Sequence, residues 1–292
     1  MNLRTFVEPA EFRRRVESAL MENEAANALI FGVVLRLCAG YSYGTEPPLL
    51  ACVEDRGEIS AIAVQTPPHN LLLRGEGDSE AIAWIARELA DADVRLPGVH
   101  AERATALRFA EAWAKAAGCS HEIAMEQRLY RLTKATPPVG VPGRLRLARP
   151  EDRELLIRWV DAFFEEAVAG SPDAESEKMV DRLTEAGSLV VWDDDDPVSI
   201  ANCGRPTPSG ISITLVYTSP SKRGRGYASA CVAALSQRQL DAGRRYCTLF
   251  TDLANRTANE IYRRVGYRSI GDFVEIRFLR RTSAGRGRGE GG

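Results

Sequence analysis

One segment constrains the fold of this chain more than any other. Residues 215–230 read Leu-Val-Tyr-Thr-Ser-Pro-Ser-Lys-Arg-Gly-Arg-Gly-Tyr-Ala-Ser-Ala, an apolar strand that passes through a basic, glycine-rich loop into a helix. A helix start leaves several backbone N–H groups without internal partners, aligned with the positive end of the dipole, so strand, loop and helix in that order make an anion site. Gly224 and Gly226 let the main chain approach a phosphate without a side chain in the way, while Tyr227, Ala228 and Ser229 form the first turn. Arg223 and Arg225 add charge. The segment lacks the Gly-Lys-Ser/Thr ending of a P-loop, and the three spaced glycines that open a dinucleotide-binding fold are absent. A flexible basic turn would account for the glycines, but not for the strand before them or the helix behind.

Around this segment the second half reads as strand 144–148, helix 150–168, helix 174–186, strands 188–192 and 197–203, strand 211–218, helix 226–242, strand 246–251, helix 257–265 and strand 269–278. Pro150, Glu151 and Asp152 suit a helix start. The four aspartates Asp193 to Asp196 are expected to be a solvated hairpin tip, since four adjacent carboxylates cannot all face one ligand. The first half runs similarly: helices 9–20 and 22–37, strands 49–54, 59–65 and 70–73, helix 79–90, a short strand near Val99, helix 102–117 and strand 123–132. The order of elements suggests an internal duplication, although no residue-level repeat proves it. The cluster Pro137-Pro138-Val139-Gly140-Val141-Pro142-Gly143 reads as a linker. The expected division is therefore a domain over 1–136, a linker over 137–143, a second domain over 144–282 and a disordered glycine-rich tail over 283–292. The expected class is α/β (α+β): a mixed, mostly antiparallel central sheet flanked by helices, present twice.

Composition narrows the function. Thirty-eight basic and forty acidic residues leave a formal charge of -2 over 292 residues, so no global field favours nucleic acid or an anionic membrane, and any bound anion must be held locally. The six cysteines (Cys38, Cys52, Cys119, Cys203, Cys231 and Cys247) form no CxxC pair, and the three histidines (His69, His100 and His121) all lie in the first half. That pattern speaks against a zinc site, a redox pair or a disulfide framework. With no apolar signal core and no run of membrane-spanning length, the expected compartment is the cytoplasm.

The residues Arg223-x-x-Gly226-x-Ala228 behind strand 215–218 resemble the Q/R-x-x-G-x-G/A signature of the GNAT superfamily of acetyl-coenzyme A dependent N-acetyltransferases. Residues 255–267, Asn-Arg-Thr-Ala-Asn-Glu-Ile-Tyr-Arg-Arg-Val-Gly-Tyr, are similar to the family's N-x-x-x-N/A-x-x-x-Y-x-x-x-G-F/Y helix. The resemblance covers about 143–281. It implies acetyl-CoA as co-substrate, no metal, and direct transfer to a primary amine of a small molecule or peptide by a monomer or homodimer. It also implies that strands 211–218 and 246–251 splay apart to admit the pantetheine arm along Val216, Tyr217 and Thr218. Main-chain N–H groups from Arg223 to Ser229 would then wrap the pyrophosphate. Asn255 and Asn259 would contact the cofactor, although Asn255 serves equally well as a helix cap. Tyr262 falls where the family's general acid lies, near the sulfur, and a phenol can donate a proton to a departing thiolate. Packing of Tyr262 against the sheet is the competing role.

No residue stands out as general base. Strand 211–218 offers Ser212 and Thr214, and Asp252 and Glu275 are weak alternatives, so a water chain remains open. In the first half the corresponding loop, Arg74-Gly75-Glu76-Gly77-Asp78-Ser79-Glu80, sets carboxylates where a pyrophosphate would sit, and Trp113 lies one residue out of register to replace a tyrosine acid. The first half is thus expected to have lost the cofactor and to shape the acceptor site or to stabilise the second half. Two further readings stay open at this level: a CoA-binding sensor without transfer, and a tandem enzyme of the mycothiol-synthase kind. Transferases that use aminoacyl-tRNA also pair two such folds, but the near-neutral charge gives no support for a tRNA surface.

Overall fold

A computed structural model of the chain describes residues 1–75, 80–167 and 176–279. In chain order the elements are β1 (Asn2–Phe6), α1 (Pro9–Met21), α2 (Ala28–Cys38), β2 (Leu49–Asp55), β3 (Glu58–Gln65), β4 (Leu71–Gly75), α3 (Glu80–Asp91), β5 (Gly98–Glu102), α4 (Arg103–Ala117) and β6 (Ser120–Leu132). The second half continues with β7 (Arg144–Leu147), α5 (Arg153–Ala167), α6 (Ser176–Glu185), β8 (Leu189–Asp194), β9 (Asp196–Gly204), β10 (Gly210–Thr218), α7 (Tyr227–Asp241), β11 (Tyr246–Asp252), α8 (Arg256–Val265) and β12 (Arg268–Leu279). Periodicity located nearly all of these to within a few residues. The strand it missed, β1, alternates only weakly, with a burial pattern exposed on most positions, so its sequence carries almost no apolar signal. With β1 included, the two halves have the same order of elements.

The chain forms two compact units, and neither is a contiguous half. The first comprises Met1–Ala19, Gly40–Glu126 and Phe273–Gly292; the second comprises Leu20–Ala39 and Gln127–Asp272. In the first unit the strand order is β1, β2, β3, β4, β5, β12, antiparallel throughout except for the parallel pair β4 and β5. The second unit has β7, β8, β9, β10, β11, β6, again antiparallel except for β10 and β11. The identical pattern, with one parallel pair in the same place, makes the duplication a structural fact.

The last strand of each half completes the sheet of the other unit. Phe273 to Arg277 of β12 pair with β5, and Gln127 to Leu132 of β6 pair with β11. A break at 137–143, expected from the proline-glycine cluster, therefore does not coincide with the boundary between compact units. The reason is physical: strand alternation announces a strand but not its neighbour, and Val274 and Ile276 bury as completely in the first core as Tyr130 and Leu132 do in the second. Helix α2 is another surprise of this kind. It is apolar on nearly all sides and packs on β10 in the second unit, with Gly32 so near Arg205 that a Cβ on the glycine would lie 2.7 Å from the Arg205 Cβ.

In the second unit one core lies between the sheet and helices α7 and α8, and another lies against α5 and α6. Strand β10 contributes to both in an unusual way. Ile211 and Ile213 face α7 and α8, whereas Leu215 and Tyr217 face α5 and α6, and Val216 returns to the first side. A regular strand would keep all odd residues on one face. The register between β10 and β9 shifts between Thr214 and Tyr217, and Leu215 has φ 53°, so a bulge of one extra residue inverts the alternation.

Candidate functional site

The site is built where β10 and β11 part. Their parallel register runs only from Gly210 and Tyr246 to Ser212 and Thr248, yet β10 continues to Thr218 and β11 to Asp252. Beyond that point the β11-facing edge of β10 has no partner strand, and the bulge at Leu215 turns it away. Val216, Tyr217 and Thr218 form this free stretch. Of its carbonyls, that of Tyr217 accepts from the Ser199 Oγ at 2.9 Å, and that of Thr218 accepts from the Arg223 Nε at 3.0 Å.

After β10 a short 3-10 turn over Pro220–Lys222 leads to the glycine loop. Gly224 has φ 78° and Gly226 φ 84°, left-handed positions that glycine occupies without strain. Gly226 is the N-cap of α7, and having no side chain it cannot cap the helix itself. The first bond of the helical ladder runs from Ala230 N to Gly226 O at 3.0 Å. Among the described residues the backbone N–H groups of 224–229 make no hydrogen bond. Six consecutive donors at a helix start, next to an unpaired strand edge, make this segment a candidate site for an anion.

Two side chains brace this segment. The Tyr227 ring is buried and its hydroxyl donates to the Asp194 carboxylate, which raises the phenol above its ordinary range. Asp193 pairs with Arg146 at 2.7 Å. The acidic run is a tight hairpin end, with Asp195 at φ 61°, but two of its carboxylates have structural work. Arg223, expected to meet phosphate, is held by the protein: its Nη2 lies 2.9 and 2.8 Å from the two oxygens of Glu166, and its guanidinium stands 5.4 Å from the Tyr217 ring centroid. Arg225 is exposed.

Helix α8 carries the remaining expected residues. Asn255 is its N-cap, with the side-chain oxygen accepting from Ala258 N at 2.9 Å. Asn259 is buried and fully engaged: its Nδ2 donates to the carbonyls of Asp252 and Asn255, both at 2.8 Å, and its Oδ1 accepts from the Tyr130 hydroxyl at 2.9 Å. The Asn259 amide fastens α8 to β11 and β6, while that of Asn255 caps the helix. Tyr130, which sequence reasoning passed over, is the missing support. Nothing in its local pattern marks it, because only the exchange of β6 brings it under α8.

Tyr262 lies on α8 with Tyr130 at 6.4 Å and Tyr267 at 6.0 Å between ring centroids. Burial pushes its phenol up to about 12. Its hydroxyl makes no hydrogen bond among the described residues. Of the two roles weighed for Tyr262, packing is the observed one: the ring lies in the core between the sheet and helices α7 and α8.

The weak base candidates fare differently. The Asp252 Oδ1 accepts from Ala254 N at 2.8 Å in the turn before α8. Glu275 belongs to the first unit, where it accepts from the Asn70 Nδ2. The Ser212 hydroxyl meets that of Thr248 at 3.2 Å, and Thr214, half-buried at the point where the strands diverge, accepts from the Asn202 Nδ2 at 3.1 Å. Among the described residues no group of three or more His, Cys, Asp or Glu side chains could hold a metal ion, and no helix is long and apolar enough to cross a membrane.

The first unit repeats the parting of strands. Strands β4 and β5 pair only through Leu71 with Val99 and Leu72 with His100. At the end of β4, the Thr105 hydroxyl donates to the Gly75 carbonyl at 2.8 Å, and a Cβ on Gly75 would lie 2.5 Å from the Ile82 Cδ1. The loop residues Glu76, Gly77, Asp78 and Ser79, on which the expected loss of the cradle turned, lie outside the described residues, as do 168–175, expected to shape the acceptor site, and the tail.

Comparison with known proteins agrees with this geometry. No curated protein matches the chain. Its architecture is similar to that of a GCN5-related N-acetyltransferase from Sphaerobacter thermophilus, at 20% identity over 96% of each chain with a TM-score of 0.60. A GNAT-family acetyltransferase from Colwellia psychrerythraea aligns at 11% identity over 96% of this chain and 100% of its own, with a TM-score of 0.59. A tandem GNAT protein from the clavulanic acid biosynthesis pathway aligns at 12% identity over 96% and 98%, with a TM-score of 0.56. At such identities the likeness concerns the fold. The model of the acetyltransferase (GNAT) family matches residues 154–267, from α5 to the end of α8, so the family's sequence pattern falls on the second unit of a chain that has the GNAT fold.

Proposed function

We propose that this protein transfers an acetyl group from acetyl-coenzyme A directly to a primary amine, at one site in the second unit. The observation that carries this reading is the run of free backbone donors at 224–229 beside the unpaired edge of β10. A hydrogen bond to a charged group contributes about 1.5–3 kcal/mol, so a few of these donors on a diphosphate offset much of the cost of association. The free edge at Val216, Tyr217 and Thr218 suits the amides of a pantetheine arm, which would lie beside it as a further strand.

In the transfer, a bond forms from the amine nitrogen to the acyl carbon, the carbon–sulfur bond breaks, and the surplus proton of the nitrogen leaves to solvent. Tyr262 supports departure of the sulfur. With its phenol at about 12 it is fully protonated at neutral pH. Complete proton transfer to a thiolate of ordinary pKa near 8.5 would be uphill by roughly 5 kcal/mol. Its role is therefore to donate a hydrogen bond as negative charge builds on the sulfur, with the proton supplied later from solvent. No carboxylate stands on the free part of β10, whose side-chain polar groups are the hydroxyls of Thr214, Tyr217 and Thr218, so a water path removes the amine proton. Correct placement of the reactants supplies much of the acceleration.

The test is calorimetric titration with acetyl-coenzyme A, followed by turnover across a panel of primary amines read as free thiol. Binding of one equivalent per chain, and thiol release that needs an amine, are the expected results. Binding without thiol release from any amine would favour a sensor, and no binding at all would sink the proposal.

A further inference from the structure

The pairing of Arg223 with Glu166 sets an arginine of the phosphate loop against a carboxylate of a different element. Glu165 and Glu166 are exposed residues of α5. Glu166 meets Arg223, whose Nη2 contacts both carboxylate oxygens while its Nε donates to the Thr218 carbonyl and its guanidinium rests over Tyr217.

A diphosphate seated on the donors of 224–229 would arrive one residue from Arg223 and carry the same charge as Glu166. Arginine meets phosphate and carboxylate with the same fork of N–H groups, so the two anions compete for it. We infer that Glu166 is a latch on the phosphate loop: it occupies Arg223 when no diphosphate is bound, and diphosphate binding displaces it, leaving an unpaired carboxylate on α5. This inference rests on the proposed function of the site. Its consequence is directional, because a latch weakens the ligand it competes with, whereas a carboxylate that merely positions Arg223 for the ligand would strengthen binding.

Calorimetry with coenzyme A as the probe separates these cases. The change Glu166→Gln should lower the Kd for coenzyme A by about two- to fivefold, the range of an exposed ion pair. Glu165→Gln, in the same helical turn, controls for loss of charge alone and should shift Kd less. In an Arg223→Ala background the effect of Glu166→Gln should vanish, because the group being competed for is gone. The inference is overturned if Glu166→Gln leaves Kd unchanged or raises it, or if its effect persists undiminished without Arg223. Absence of binding by both the unaltered protein and Glu166→Gln would instead refute the proposed function, and the latch with it. Circular dichroism of each variant checks that the helix content is kept.

Discussion

Substitution of Gly226 by alanine tests the cradle through quantities that the structure supplies. The residue has φ 84° and ψ 1°, where a Cβ crowds the carbonyl and costs about 1–2 kcal/mol. A Cβ there would also lie 2.9 Å from the Val141 Cγ2, and overpacking of this kind costs about 1–3 kcal/mol, at the low end because one half-buried methyl group must move. Together the two give about 2–3 kcal/mol, or a fall in melting temperature on the order of 4–12 °C for a protein of this size. Gly224 provides the internal control. Its φ is 78° but a Cβ meets nothing within 4 Å, so Gly224→Ala should lose only the conformational part, about 1–2 kcal/mol. Urea unfolding followed by circular dichroism, with coenzyme A titration of each variant, measures both consequences. Stability should fall in the order unaltered protein, Gly224→Ala, Gly226→Ala, and Gly226→Ala should also lose most of the binding heat. If Gly226→Ala unfolds like the unaltered protein and binds coenzyme A undiminished, the reasoning about a strained, ligand-facing glycine is refuted.

Tyr262→Phe should leave coenzyme A affinity unchanged and lower turnover by about 10²-fold, the lower range for a positioned proton donor; equal turnover would remove Tyr262 from the chemistry. Because burial holds this phenol at about 12 while an unfolded chain titrates near 10, the stability it contributes is whole below pH 10 and falls by roughly 3 kcal/mol between pH 10 and 12. Denaturation at alkaline pH should show that part of the slope missing in Tyr262→Phe. Asn255→Ala removes the α8 cap and should cost about 1 kcal/mol, whereas Asn259→Ala leaves the buried Tyr130 hydroxyl without its partner, while the Asp252 and Asn255 carbonyls keep their backbone donors, and should cost about 1–3 kcal/mol, both read in urea. A fragment of residues 137–292 lacks β6 and 20–39 and should fail to give a cooperative unfolding transition; a well-folded fragment would show that the exchanged strand is dispensable.

Much of the site is legible in the sequence, and the reason is local. A strand, a glycine-rich loop and a helix start are specified by residues that are neighbours along the chain, so the loop and helix start at 224–229 and the alignment of Asn255, Asn259 and Tyr262 on one helix can be read directly. The bulge at Leu215 cannot. An apolar run of alternating Ile, Leu and Val looks the same with or without an extra residue, and only pairing with β9 reveals the shift. Nor can the partners of the charged groups be read: Arg223 has the look of a phosphate ligand, and its contact with Glu166, 57 residues away in sequence, depends on how α5 packs.

The amino-acid sequence by itself determined the elements, their repetition in two halves and the place of the glycine-rich loop ahead of a helix start, because each follows from periodicity and turn chemistry over a few residues. Only the tertiary structure decided which sheet each half completes. A strand's hydrogen-bonding edge accepts any neighbour of matching register, and burial of the exchanged strands β6 and β12 selects the partner. That choice brought Tyr130 beneath α8 and α2 onto β10, so residues of the first half support the site that the second half encodes.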